Sequence, residues 1–320
     1  MRIGTKTWLI IASSMILLGC MIGGTVMSIA RWDFTKLSSS GYENKRHEIN
    51  ENFNIISIEA DTADLVFALS DDGKCTVECY EEKKAKHSVS VENDTLVIGV
   101  ENKKAWYDYI GIHLGSPKVT VYLPDTYYTA LNIRKSVGHV NIPGEFSFGD
   151  IDILLSTGNV DCSASASGQL KIKASTGSIE LIDCSAGALD LAVTTGEVTV
   201  SDVVCRGEAK IKTTTGKAKL TNLKCENLIS TGTTGDIILE NTIAEESLSV
   251  QRSTGDVKFR TCDASEIYVK TATGDVSGNF LTDKIFITNT KTGVVKVPVS
   301  TSGGICEITS KTGSIKLEIK

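Results

Sequence analysis

One glycine returns every 19 or 20 residues through the C-terminal three-fifths of the chain, and that spacing limits the possible folds more than any other feature. The positions are Gly138, Gly158, Gly177, Gly196, Gly216, Gly235, Gly255, Gly274, Gly293 and Gly313. A Thr precedes every one except Gly138, which follows Val137. A short period free of insertions is the mark of a solenoid, in which each unit buries its apolar face only against the next.

Apolar residues keep step with the glycine. Two and four residues after it stand Val160 and Cys162, Ile179 and Leu181, Val198 and Val200, Ile237 and Leu239, and Val257 and Phe259. Seven and five before it stand Ile151 and Ile153, Leu170 and Ile172, Leu189 and Leu191, Leu248 and Val250, and Ile267 and Val269. A spacing of two is a strand with one buried face. A further apolar position falls about seven after the glycine, at Cys184, Val203, Leu223, Cys262 and Leu281. Each coil therefore has about three short strands. Nothing recurs at three and four, so helical repeats are excluded. The expected fold is all-β: a single-stranded, parallel, β-helix-like solenoid of 19–20 residues per coil. Ten coils at ~4.8 Å make a rod of roughly 45 Å. The glycine turns a corner between two inward-facing strands and needs positive φ. The adjacent hydroxyl is expected to bond to turn backbone or to its equivalent one rung away.

Ahead of the repeat, "FNIISIEA", "ADLVFALS", "KCTVECYE", "HSVSVEN", "TLVIGVE" and "KVTVYLP" read as strands parted by Asp-, Gly- and Asn-containing turns. "KVTVYLP" leads into "LNIRKSVGHVNI", and then come units of the form L-x-I-x-x-S/T-T-G-x-V. This arrangement, from about Glu48 to Lys320, resembles the bacterial putative-adhesin family of domains of unknown function, LiaG-like membrane-anchored proteins included. The resemblance implies a β-solenoid surface protein with no established catalytic residues.

Residues 8–30 carry no charge, with Arg2 and Lys6 before them and Arg31 after. That length crosses ~30 Å of hydrocarbon as a helix. "LLGC" at Leu17–Cys20 offers an alternative, a lipoprotein anchored at Cys20, but the apolar run continues for ten residues past that cysteine. A single-pass anchor in the cell membrane is expected, with the large C-terminal domain outside the cytoplasm. The organisation is then an anchor (1–30), a polar tether (31–47), a strand region capping and entering the solenoid (48–135) and the regular Thr-Gly solenoid (136–320).

Candidate chemistry is sparse. A net charge of −6 with no Lys/Arg cluster argues against nucleic acid as a partner. Cys75 and Cys79 lie four apart in a strand, ~13 Å, which is too far for a disulfide and is not a zinc C-x-x-C spacing. Cys162, Cys184, Cys205, Cys225, Cys262 and Cys306 fall near inward positions and read as small buried hydrophobes, with bridges between adjacent rungs as the alternative. The four histidines, His47, His87, His113 and His139, are dispersed and suggest no triad or metal site. Asp236, Asp256 and Asp275 follow the glycine in three consecutive coils. Such a column is either a solvated turn row or, because stacked carboxylates repel, a Ca²⁺ ladder. Trp106, Tyr107 and Tyr109, in the longer loop 102–117, either cap the solenoid or contact a partner.

A polysaccharide-cleaving β-helix would need clustered carboxylates beside long loops. Coils that vary by one residue leave no room for such loops, so no enzyme is expected. The function that follows is a membrane-anchored, surface-exposed binding or adhesin role, contacting the bilayer through residues 8–30 and an unidentified surface ligand or envelope protein. The rival is an accessory or sensor in an envelope-stress system.

Overall fold

The computed structural model describes residues 5–29, 31–32, 41–104 and 115–320. Helix α1 (Thr5–Ile29) comes first. Its Lys6–Ile29 stretch is long and apolar enough to cross a membrane and is not buried among the described residues. Ser14 and Thr25 return their hydroxyls to the carbonyls of Ile10 and Met21 at 2.8 Å, so neither is left unsatisfied along the apolar helix. The helix runs through Cys20 without a break.

Strands follow. The N-terminal set is β1 (Tyr42–Ile49), β2 (Ile55–Ala60), β3 (Asp64–Leu69), β4 (Cys75–Glu82), β5 (Ala85–Glu92), β6 (Thr95–Asn102), β7 (Lys118–Leu123), β8 (Tyr127–Val137) and β9 (Val140–Ile142). The middle of the rod is β10 (Ser147–Thr157), β11 (Val160–Cys162), β12 (Ser165–Thr176), β13 (Ile179–Thr195), β14 (Val198–Cys205), β15 (Glu208–Thr215), β16 (Ala218–Thr234), β17 (Ile237–Glu240), β18 (Ile243–Thr254) and β19 (Val257–Thr273). The far end is β20 (Val276–Phe280), β21 (Lys284–Thr292), β22 (Val295–Lys296), β23 (Gly304–Thr312) and β24 (Ile315–Ile319).

Through the middle, each coil lies parallel on the next, displaced by one period. Ile153 pairs with Ile172, Ile172 with Leu191, and Leu191 with Ile211. All the paired apolar positions that flank the glycine are buried. A fully buried Leu or Ile contributes about 1.5–3 kcal/mol, so the stacked columns hold the rod together rung by rung. The parallel solenoid expected from the period is the fold.

Three corners close each coil. The first is the Thr-Gly turn. The second lies six residues later, where Asp183, Asp202, Asn222, Asn241 and Thr261 adopt left-handed conformations with φ of 48–57°. Asp and Asn tolerate that region better than other side chains. The Asn222 amide donates to Asp202 (2.7 Å), and that of Asn241 to Asn222 (3.1 Å). The third corner is a register shift about nine residues before the glycine, near Gly149, Gly168, Glu226 and Glu246.

Three expectations need correction. Strand β1 begins at Tyr42 and pairs antiparallel with β4, so the tether does not extend to residue 47. Leu281 is exposed, and Phe280 fills the buried place opposite Cys262, because a register shift precedes it. Most consequentially, the rungs do not stack in sequence order at either end. Strand β23 lies between β19 and β21, and β24 between β20 and β22. At the other end β2 lies between β6 and β8, and β3 between β7 and β9. The first and last passes of the chain through the solenoid are thus each clasped between two neighbours. Antiparallel strands β4 and β1 continue the sheet beyond β7, and β5 lies beyond β6, forming the N-terminal cap.

Candidate functional site

The repeated corner comes first, because it carries the motif. Gly196 has φ of 145°, and a Cβ there would stand 1.7 Å from the carbonyl oxygen of Gly177. The same approach recurs from rung to rung, so glycine is required for space as well as for conformation. The N–H of Gly177 donates to the carbonyl of Thr195, which binds one corner to the next. Among the described residues the hydroxyls of the corner threonines make no hydrogen bond to protein; Thr157, Thr176 and Thr195 form an exposed column. The expected hydroxyl bond is absent, and Thr serves there as a β-branched strand former.

Asp236, Asp256 and Asp275 do stack as a column. The N–H of Asp256 donates to Asp236 Oδ1 at 2.9 Å, that of Asp275 to Asp256 at 3.0 Å, and that of Ser314 to Asp275 at 2.7 Å. Asp64 and Asn159 do the same for His139 and Ser178. Each side chain therefore satisfies the turn amide of the following rung, while Lys258 pairs with the free oxygen of Asp256 at 3.4 Å. Trp106, Tyr107 and Tyr109, the predicted contact residues, lie outside the described residues.

A groove of about 670 Å³ runs along the outer face beside the Thr-Gly corner. Outward positions of successive rungs line it: Arg134, Lys173 and Lys212 along one side, and Ser156, Ser175 and Thr194 along the other. Two of its cations are braced from the adjoining row, Arg134 by Asp152 (3.1 Å) and Lys173 by Asp190 (2.9 Å). Lys212 has no carboxylate partner among the described residues. Sequence reasoning missed this surface because its members are spaced by whole coils; the signal was a cation four residues before Gly138, Gly177 and Gly216.

The cysteines of the strands are free and buried. Burial pushes the thiols of Cys75, Cys162, Cys184, Cys225 and Cys306 up to about 12, as expected of small groups packed in a narrow core. Cys205 and Cys262 spend their S–H on backbone carbonyls at 3.3–3.8 Å. The histidines are not all dispersed. His139 meets Asp161 at 3.1 Å on the surface, and His87 joins Cys79 and Glu81 in the N-terminal cap. His113 lies outside the described residues.

No curated protein matches the chain in sequence. Among solved structures, a "putative adhesin" from Bacteroides fragilis shares 16% identity over 88% of this chain and 99% of its own, with a TM-score of 0.43. A "putative adhesin" from Parabacteroides merdae shares 13% over 88% and 98%, with a TM-score of 0.47. A "putative lipid binding protein" from Parabacteroides distasonis shares 16% over 75% and 95%, with a TM-score of 0.46. The model of the family described as Toastrack DUF4097 matches residues 53–318, from just before the first solenoid strand to the end of the last, and the chain belongs to that family.

Proposed function

We propose that the protein is a membrane-tethered, non-catalytic binding module of the cell envelope, with α1 in the cell membrane and the solenoid outside the cytoplasm. The observation that carries this reading is the groove. Its cations and hydroxyls are spaced by whole rungs on a rigid, loop-free face, which suits a repeating ligand better than a small substrate. Arg134 and Lys173 are paired with Asp152 and Asp190, but Lys212 has no carboxylate partner among the described residues, so the row of cations and hydroxyls fits an anionic, hydroxyl-rich envelope polymer. The name "putative adhesin" on similar structures accords with a binding role but says nothing of the ligand.

Two measurements test the reading. Protease shaving of intact cells should remove the solenoid; a fully protected domain would overturn the orientation. Sedimentation of the detergent-solubilised chain with isolated anionic cell-wall polymer should show binding that Lys173→Glu with Lys212→Glu weakens at least about 10-fold. Equal binding by the double variant would remove the groove from the account.

A further inference from the structure

The N-terminal cap holds a buried cluster of mixed donors that neither the groove nor the repeat explains. Cys79 and Glu81 sit two apart on β4 and so share its inward face. The tight hairpin that pairs Glu82 with Ala85 brings β5 back with His87. On β1, Lys45 lies opposite Cys79 and His47 opposite Val77, two pairs along. One donor atom each from Cys79, Glu81 and His87 falls within 4.8 Å of the others, and all three residues are buried.

The hydrogen bonding within the cluster is incomplete. Glu81 is wholly buried. Its Oε2 accepts the backbone N–H of His87 at 2.5 Å and lies 2.8 Å from His87 Nδ1. Its Oε1 has no partner, and neither does the equally sealed Nε2 of His47. Orphaned buried polar atoms cost about 1–3 kcal/mol each, more when charged. An unpartnered carboxylate oxygen beside a thiol and an imidazole leaves room for one missing group that accepts electron pairs.

We propose that this cluster is a transition-metal site of the Zn²⁺ class, with Cys79 Sγ, Glu81 Oε1 and His87 Nδ1 as its three protein ligands and the fourth position left to solvent. The donor set of one sulfur, one oxygen and one imidazole nitrogen suits a borderline-soft cation and not Ca²⁺ or Mg²⁺. A thiolate and a carboxylate neutralise a divalent ion, so the occupied site carries no net charge into the core. The Cys79 thiol proton leaves to solvent as the metal–sulfur bond forms. Tetrahedral ligands at ~2.0–2.3 Å stand roughly 3.3–3.8 Å apart, a modest contraction of the present cluster. Glu81 Oε2 keeps the backbone N–H of His87, which orients the carboxylate, while His87 Nδ1 gives up its contact with Oε2 and ligates as the neutral imidazole. A cavity of about 220 Å³ reaches His87 from outside the cluster. The ion would join β4 to β5 across the hairpin that covers the end of the rod. Its role is therefore structural: it fastens the cap.

The test uses the full chain in detergent, stripped with a chelator and titrated with Co²⁺. The expected result is one Co²⁺ per chain, with tetrahedral d–d absorption and a thiolate-to-metal charge-transfer band, both bleached by Zn²⁺. Cys79→Ser should abolish the charge-transfer band, and His87→Ala should weaken binding at least about 10-fold. Cys75→Ser, on the same strand face but outside the cluster, should leave the band intact. A folded wild-type chain that shows no such absorption overturns the proposal, as does a band that survives Cys79→Ser. Because the wild-type titration decides the first point, a variant that fails to fold does not rescue the idea.

Discussion

A methyl group at Gly196 would stand 1.7 Å from the Gly177 carbonyl oxygen and place a side chain on a residue with φ of 145°. Gly196→Ala should therefore cost about 3 kcal/mol or more, combining overpacking with backbone strain. Thr195→Ala next to it should cost well under half of that, because the Thr side chain is exposed; urea titrations of both variants check the contrast. Lys135 makes a different prediction. Its ammonium is buried and donates to the His139 carbonyl at 2.8 Å, and burial lowers its pKa from 10.5 to about 8. The folded value lies below the unfolded one, so holding the charge inside costs stability in full below pH 8. That cost fades as the pH rises towards 10.5. Stability should thus gain on the order of 2–3 kcal/mol across this window. Lys135→Met should flatten the rise and be the more stable protein at pH 7; thermal melts at pH 7 and pH 10 decide. The glycine was legible in the sequence because only one residue type fits that corner. The purpose of its neighbours was not. The Asp column announced itself by spacing, yet the amide each carboxylate satisfies belongs to a different coil.

At the scale of elements, the ends of the rod carry the lesson. Strand β21 has no sheet partner but β23, and β22 none but β24, among the described residues. Removing residues 304–320 should consequently release two rungs, not one. Hydrogen exchange should show residues 284–296 losing protection in the truncated chain. Retained protection there would mean that the coils stack in sequence order. The clasped ends also bear on edge protection. An open solenoid end is a template for further pairing, and this chain places a charged strand, β1, at the outer edge of its N-terminal cap. Strand alternation in "KCTVECYE" was readable as one buried face, and Cys75, Val77 and Cys79 are indeed buried together. That Glu81 follows them inward, to meet His87 from β5, was not readable. Strand alternation gives the face a residue occupies but not which distant strand lies over it.

For the molecule as a whole, the sequence alone determined the coil. A glycine every 19 or 20 residues, with apolar pairs at fixed offsets, admits a parallel solenoid and little else, since every unit must bury the same face against a copy of itself. It also determined the apolar N-terminal helix, which depends only on length and composition. The order of the rungs was decided by the tertiary structure. Every coil offers the next an equivalent parallel edge in the same register, so the period from Gly274 to Gly293 to Gly313 is unchanged whether the last coil lies outside its predecessor or slips beneath it. Tertiary structure likewise decided the groove and the Cys79–Glu81–His87 cluster. Both are assembled from residues whose separation along the chain carries no signal, because contact across stacked or antiparallel strands depends on register between segments and not on local pattern.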